Sequence, residues 1–362
     1  MIHLVALSMT AHPAEGHVML IEQMREQIID LVYPDGYRHA DALKPVQERI
    51  EKAQHYLLDE SAVAMAASVA FSKPSSILAA LPWVRLPFET IFIEFANDEL
   101  RRASAAAGSP NIQHPHGITR LVRSGYLLTM EGNSLKMDYV AAQAKPDGDI
   151  VVDLAPIQGF YRLSAADLPP AGIPPLTSAD AEGRRGKARD QFKLVSTDPH
   201  EYAAAIELQS RYDWVPHPDM RRVAKSFATM ASADKVEEIW QRQADEAYRL
   251  FMLAILPALI LLNCKNAVQV EHVPAPAKLN KARAKKGRPP IRERFEIRMK
   301  LSPARQRAAD AQSASGIRPS AASLVAGHFK VRSGGRIFWW NSHVRHGSSI
   351  DPIPQKSRII TA

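Results

Sequence analysis

The chain has 362 residues, enough to bury a sizeable core, and 46% hydrophobic with 23% charged residues describes an ordinary globular protein, not a disordered or fibrous one. A single cysteine, Cys264, excludes an internal disulfide framework and any multi-cysteine zinc or iron–sulfur module, and points to a reducing compartment. The net charge of +8 is uneven: residues 1–270 hold 27 Lys and Arg against 33 Asp and Glu, a net of −6, while residues 271–362 hold 19 against 5, a net of +14.

At the start, the apolar stretch Ile2–Met9 has no basic segment before it, and His12, Pro13 and Glu15 follow directly, so no signal peptide is read and the chain is expected in the cytoplasm. Val18, Ile21, Met24, Ile28 and Leu31 recur at helical spacing over residues 15–32, and Tyr33-Pro34-Asp35-Gly36 supplies the stop. A second helix is expected over roughly 41–71. Pro82 and Pro87 interrupt the next stretch, and Thr90–Phe95 reads as a buried strand. Arg120–Met130 and Ser134–Val140 alternate in hydropathy around Glu131-Gly132-Asn133, which predicts a hairpin, with short strands at Asp149–Leu154 and Gly159–Leu163.

Residues 164–190 contain Pro169-Pro170 and Pro174-Pro175 beside a charged tract, the composition of a linker or mobile loop. Helix returns over 198–263, with Asp198 and Pro199 as N-cap and first helical residue, and Asp234 capping a helix that runs to Pro257. Its apolar run Leu250–Leu262 falls short of the about 20 residues a membrane span requires. It is read as a core helix kinked at Pro257, and no membrane partner is expected.

The C-terminal end carries the signals for function. Lys281, Arg283, Lys285, Lys286 and Arg288 form a dense basic cluster closed by Pro289-Pro290, suited to phosphate contacts or to a solvated loop. Phe295, Ile297, Met299 and Leu301 then alternate with Arg294, Glu296, Arg298 and Lys300, a strand with a charged outer face. Residues 302–326 read as a surface connection. Gly334-Gly335 between two alternating runs predicts a two-residue hairpin turn, which sets Arg332 opposite Ile337, Lys330 opposite Trp339 and His328 opposite Asn341. Phe329, Val331, Phe338 and Trp340 would then face the core. His328, Lys330, Arg332 and Trp339 would face out, cations around an aromatic ring, as single-stranded nucleic acid requires, or simply solvated residues of a half-buried strand.

Histidine chemistry offers a different reading. His328, His343 and His346 titrate near neutral pH and could act as acid and base on a phosphodiester, with Arg332 or Arg345 holding the developing charge, as in a metal-independent nuclease. The nearest further ligands, Cys264 and His272, match no zinc spacing, so no metal is expected, and no cofactor either. His114-Pro115-His116 reads as a turn, and no partner motif fixes Glu89, Glu94 and Asp98 as an acidic site. No phosphate-cradling GxxxxGK[ST], GxGxxG or GxSxG is present, which leaves ATPase, Rossmann dehydrogenase and serine hydrolase readings without support.

Leu279–Arg283 with Lys286-Gly287 and Pro289-Pro290, then Gly327-His328-Phe329-Lys330, Trp339 and His343-Val344-Arg345 with Gly347, resemble a group of phage and prophage proteins of bacteria. Leu86-Pro87-Phe88 with Ile91–Phe95 adds to the likeness, which covers about a quarter of the chain. That group ends in a His-x-Arg-Gly-like turn; here His346 intervenes between Arg345 and Gly347. The resemblance implies a phage-derived origin and carries no activity with it.

The expected fold is α+β, a mixed helical body with antiparallel strands and a C-terminal β-hairpin. Residues 1–163 form the body, 164–190 the linker and 191–276 a helical region. Residues 277–362 form a basic, strand-rich region, either separate or completing the N-terminal sheet. The leading expectation is a nucleic-acid-binding accessory protein that takes RNA or DNA through Lys281, Arg283, Lys285, Lys286, Arg288, Lys330, Arg332, Trp339 and Arg345. The alternatives are the nuclease and a protein whose basic end grips an acidic protein partner.

Overall fold

In β2 (Thr90–Ala96), Ile91, Ile93 and Phe95 point to one side and Phe92 and Glu94 to the other, and all five are buried. A strand buried on both faces needs cover on both, and the fold supplies it. The computed structural model describes residues 19–26, 38–70, 74–106, 120–165, 198–220, 233–288, 290–299, 323–325, 328–332, 335–340 and 343–345. All but the first two residues of the expected linker, together with His114, His116 and His346, lie outside them.

Eight strands form one mixed sheet. Its order is β6 (Tyr212–Pro216), β5 (Ile150–Arg162), β4 (Ser134–Ala144), β3 (Arg120–Glu131), β2, β1 (Gln54–Leu58), β8 (Arg294–Met299) and β7 (Val268–Val273). β1 runs parallel to both β2 and β8, and every other pairing is antiparallel. The expected hairpin is β3–β4, closed by Gly132-Asn133 between the paired Glu131 and Ser134. One face is covered by α3 (Glu60–Ala70), α4 (Pro74–Ala80), α7 (Ala233–Leu250) and α8 (Leu256–Leu262), packed on Tyr56, Ile93, Tyr126 and Ile297. The other is covered by α1 (Leu20–Glu26) and α2 (His39–Lys52), packed on Phe92, Leu127, Val140 and Val152. α5 (Asn97–Ala106) follows β2 directly, and α6 (Pro199–Ser210) precedes β6. The α+β class is as the sequence predicts.

Several elements depart from the expectation. The helix read over 41–71 is two helices with β1 between them, and the short strands at 149–163 are one strand, β5, in irregular register with β4 near Asp138. β6 lies inside the expected helical region, whereas β8, from the basic C-terminal region, sits between β1 and β7, in line with the alternative in which that region completes the N-terminal sheet. Asp198 caps α6 as expected, its Oδ1 accepting from the N–H of His200 at 2.9 Å, with Pro199 following. The apolar run at Pro257 continues through a wide π-helical turn, Phe251–Ile255, in which the Leu256 N–H reaches the Phe251 carbonyl. That turn brings the chain to Pro257 in the first turn of α8, where a missing N–H is tolerated. Among the described residues no single helix is long and apolar enough to cross a membrane.

Two buried polar clusters tie the second face together. Glu94, fully buried, accepts from the Leu20 N–H and from Arg123 Nη2, each at 2.8 Å, so the carboxylate considered for an acidic site holds α1 and β3 to β2. Asp138 accepts from Gln158 Nε2 at 2.7 Å and His217 Nε2 at 3.1 Å on one oxygen, and from Arg49 Nη2 at 3.2 Å on the other. The Asp219 N–H donates to His217 Nδ1 at 3.2 Å, which puts the imidazole proton on Nε2, facing Asp138. Burial raises the Asp138 pKa, but the hydrogen bonds from His217 and Gln158 and the charge of Arg49 outweigh it and hold the carboxyl below its ordinary value. β4, β5, α2 and the chain beyond β6 meet at this one carboxylate.

Candidate nucleic-acid interface

The basic cluster is ordered, and most of it is helix. α9 (Ala277–Lys285) has no buried residue, which is why hydropathy periodicity does not reveal it. Its C-terminus closes with the Arg288 N–H on the Arg283 carbonyl at 3.0 Å and the Gly287 N–H on the Ala284 carbonyl at 3.1 Å, with Gly287 at φ +66°. This is a Schellman ending, and the left-handed residue it demands is the glycine. A Gly287→Ala variant is expected to lose about 1–2 kcal/mol of local helix stability from the positive φ alone. Faster amide exchange over 283–288 than over β8 would report it.

Asn280 holds the far side of the loop. Its Oδ1 accepts from the Ile291 N–H and its Nδ2 donates to the Ile291 carbonyl, both at 2.7 Å, so one side-chain amide pairs with both polar groups of a residue eleven positions on. The same device recurs twice: Asn263 grips Arg85 at 3.2 and 3.0 Å, and Asn266 grips Trp339 at 3.0 and 2.9 Å.

Within this frame Lys281, Lys285, Lys286 and Arg288 are exposed, and among the described residues none is ion-paired. Residues 277–292 contain no Asp or Glu. Arg283 differs. It is half-buried, and its charge acts on Glu22, a buried carboxyl of α1 that burial pushes above its ordinary pKa against the pull of Arg283. Because its folded pKa is raised, Glu22 costs the fold increasingly as pH climbs above 4.5, its ordinary value. A Glu22→Gln variant is therefore expected to unfold at higher denaturant than wild type at pH 7, with the gap closing toward pH 4.

The strand that follows is neutralised. Arg292 bonds the Glu51 carbonyl, Arg294 pairs with Glu296 at 2.7 Å, and Arg298 bridges Glu296 at 2.7 Å and Glu271 at 3.4 Å. These contacts hold the Glu296 carboxyl below its ordinary pKa, Arg298 foremost. The tract thus splits into an open basic helix and a self-paired strand.

The C-terminal hairpin forms, but one residue out of the expected register. β10 (His328–Arg332) and β11 (Arg336–Trp340) pair Phe329 with Trp339, Lys330 with Phe338, Val331 with Ile337 and Arg332 with Arg336. Arg332 and Arg336 are the last pair before the loop, where the Gly335 N–H meets the Arg332 carbonyl at 3.1 Å with Gly335 at φ +73°. Trp83 also covers Gly335 so closely that a Cβ there would lie 2.1 Å from its ring.

The slip exchanges the faces of β11 while those of β10 stay as expected. Trp339, expected to face outward, is 5% exposed and packs edge-on against Phe329 at 5.0 Å, because the core side of this hairpin is Phe329, Val331, Ile337 and Trp339. The outer face carries exposed Lys330, Arg332 and Arg336 with Phe338 and Trp340, the last 43% exposed, and these two rings are what sequence reading missed.

Of the three histidines, His346 lies outside the described residues, and the other two do not share a strand pair. His328 lies in β10 opposite Trp340, while His343 lies in β12 (His343–Arg345), paired with β9 (Ser323–Val325) in a separate two-stranded sheet. Arg345 is on that second sheet, opposite Ser323. Burial pushes the Cys264 thiol up to about 12, so it is neither a ready nucleophile nor a ready metal ligand. Among the described residues no group of three His, Cys, Asp or Glu could hold a metal ion.

No protein-family model matches the chain, and no curated protein or solved structure is detectably similar to it. The geometry therefore stands without a named relative.

Proposed function

We propose that this chain binds nucleic acid through its basic C-terminal part, as an accessory protein of phage origin working in the cytoplasm. The observation that carries the reading is α9 with its closing loop: Lys281, Lys285, Lys286 and Arg288 are exposed and unpaired among the described residues, on a backbone held by Asn280 and the Gly287 ending. A solvated tail needs no such clamp. A tail docked on the acidic body would show the pairing that Arg292 makes with Glu51 and these residues lack. Fixed cations without base-reading geometry suit phosphate contacts that position a strand irrespective of sequence. Lys330 and Arg332 would extend this surface.

Removing the C-terminal region wholesale is no test, since it would strip β8 from between β1 and β7. The intact chain should instead be titrated against labelled single- and double-stranded RNA and DNA, with poly-glutamate as a second polyanion. Binding of nucleic acid with a log–log salt slope of several units, in the absence of comparable poly-glutamate binding, is the expected result. Equal affinity for poly-glutamate would transfer the surface to an acidic protein partner, and no binding at low salt would end the proposal.

A further inference from the structure

The outer face of the β10–β11 hairpin alternates cation and ring. Lys330 Nζ lies 4.9 Å above the centre of the Trp340 ring, and the Arg332 guanidinium lies 4.8 Å from that of Phe338. Arg336, paired with Arg332, adds a third cation beside the turn. We infer that this face is a stacking platform for unpaired bases, so that the ligand of the basic surface is a single strand; this rests on the nucleic-acid reading above.

The hairpin is built to hold its rings still. Phe329, Ile337 and Trp339 anchor its inner face, Asn266 grips both backbone groups of Trp339, and Trp83 caps the turn at Gly335. Trp340 is next to the gripped residue, so its ring is presented from a fixed backbone. Two residues apart on one strand, Phe338 and Trp340 are separated by about 6.8 Å, which seats one base on each rather than one across both. The long stem of Lys330 lets its ammonium leave the ring for a neighbouring phosphate as a base arrives, so the cation that pre-positions the indole when empty serves the backbone when occupied. Bases inside a duplex are already stacked on their neighbours and cannot use such a face.

The hairpin and α9 flank one edge strand. Asn266 stands two residues before β7, and Pro276, the N-cap of α9, stands three residues after it. A single strand crossing from rings to lysines would pass along the sheet edge, about 20 Å for the six residues of β7.

The test compares the full-length protein with Trp340→Ala and Trp340→Phe, using oligo(dT), oligo(U) and a duplex of about 15 nucleotides, near the upper site size of a single-strand-binding module. The expected result is tighter binding of single strands than of duplex by wild type. Trp340→Ala should lose about tenfold in single-strand affinity with an unchanged salt slope and unchanged duplex affinity, and Trp340→Phe should recover most of it. Oligo(dU), which differs from oligo(U) by the 2′-hydroxyl alone, then names the sugar. Single-strand affinity untouched by Trp340→Ala, or duplex bound as tightly as single strands, overturns this inference while leaving phosphate binding in place. Absence of any binding overturns both. Trp340 is 43% exposed, and a matching urea midpoint for the variants separates lost stacking from lost folding.

Discussion

Asp138→Ala is expected to destabilise the fold by about 3–5 kcal/mol. Two of its three donors have no alternative: His217 is fully buried and Gln158 is 5% exposed, so both would keep a desolvated N–H with no acceptor. Arg49 loses less, because its guanidinium is partly exposed and also pairs with Asp219 at 3.4 Å. Asp138→Asn retains one acceptor oxygen but turns an amide nitrogen toward one of the donors, and an intermediate loss is expected. The pH dependence separates charge from shape. The folded carboxyl titrates below its ordinary value of 3.8, so its contribution is complete above that value and is lost as pH falls through the folded pKa. The gap between wild type and Asp138→Asn in urea midpoint should therefore be widest at neutral pH and shrink in acid. A constant gap from pH 7 down to pH 3 would show that hydrogen-bond geometry alone is at stake.

Lys281→Gln/Lys285→Gln/Lys286→Gln is expected to flatten the salt dependence of single-strand binding by about two log–log units, since each phosphate neutralised contributes about 0.7. Because these side chains are exposed and unpaired among the described residues, unfolding should move by no more than about 0.5 kcal/mol. Arg298→Gln provides the contrast. Its charge is already engaged by Glu296 and Glu271, and its removal should leave the slope where it was. An unchanged slope in the triple variant would remove α9 from the interface whatever the affinity.

How far the sequence is legible follows from what each element reports to its neighbours in the chain. β2, β3 and β4 announce themselves by alternation and a glycine turn, and α6 by its Asp198-Pro199 start. β1 is hidden because five residues between two helices continue the apolar density on either side. α9 is hidden for the opposite reason: a helix that buries nothing leaves no apolar stripe, and Leu279 is half exposed. The hairpin at Gly334-Gly335 is visible as a hairpin, yet its register depends on whether two residues or three separate the last pair, and one step in register decides whether Trp339 or Trp340 faces solvent. The asparagine grips and the Asp138–His217 contact join residues far apart in sequence through single side chains, with no local spacing for a pattern to detect. The charge profile marks the segment of the basic cluster; what it lacks is the division of that segment into paired and unpaired cations.

The placement of β8 has a consequence for how this protein comes into being. Phe295, the ladder partner of Tyr56, leaves the ribosome about 240 residues after it. At about 5–20 residues per second, β1 waits roughly 10–50 seconds with one edge open and its apolar side chains at hand for any passing strand. A nascent chain with so distant a closing partner gains from holdase chaperones until β8 arrives. Messages truncated before codon 299 should yield aggregates instead of a smaller folded body, and the yield of native protein should fall with slower elongation far more steeply than for a fold closed by neighbouring hairpins.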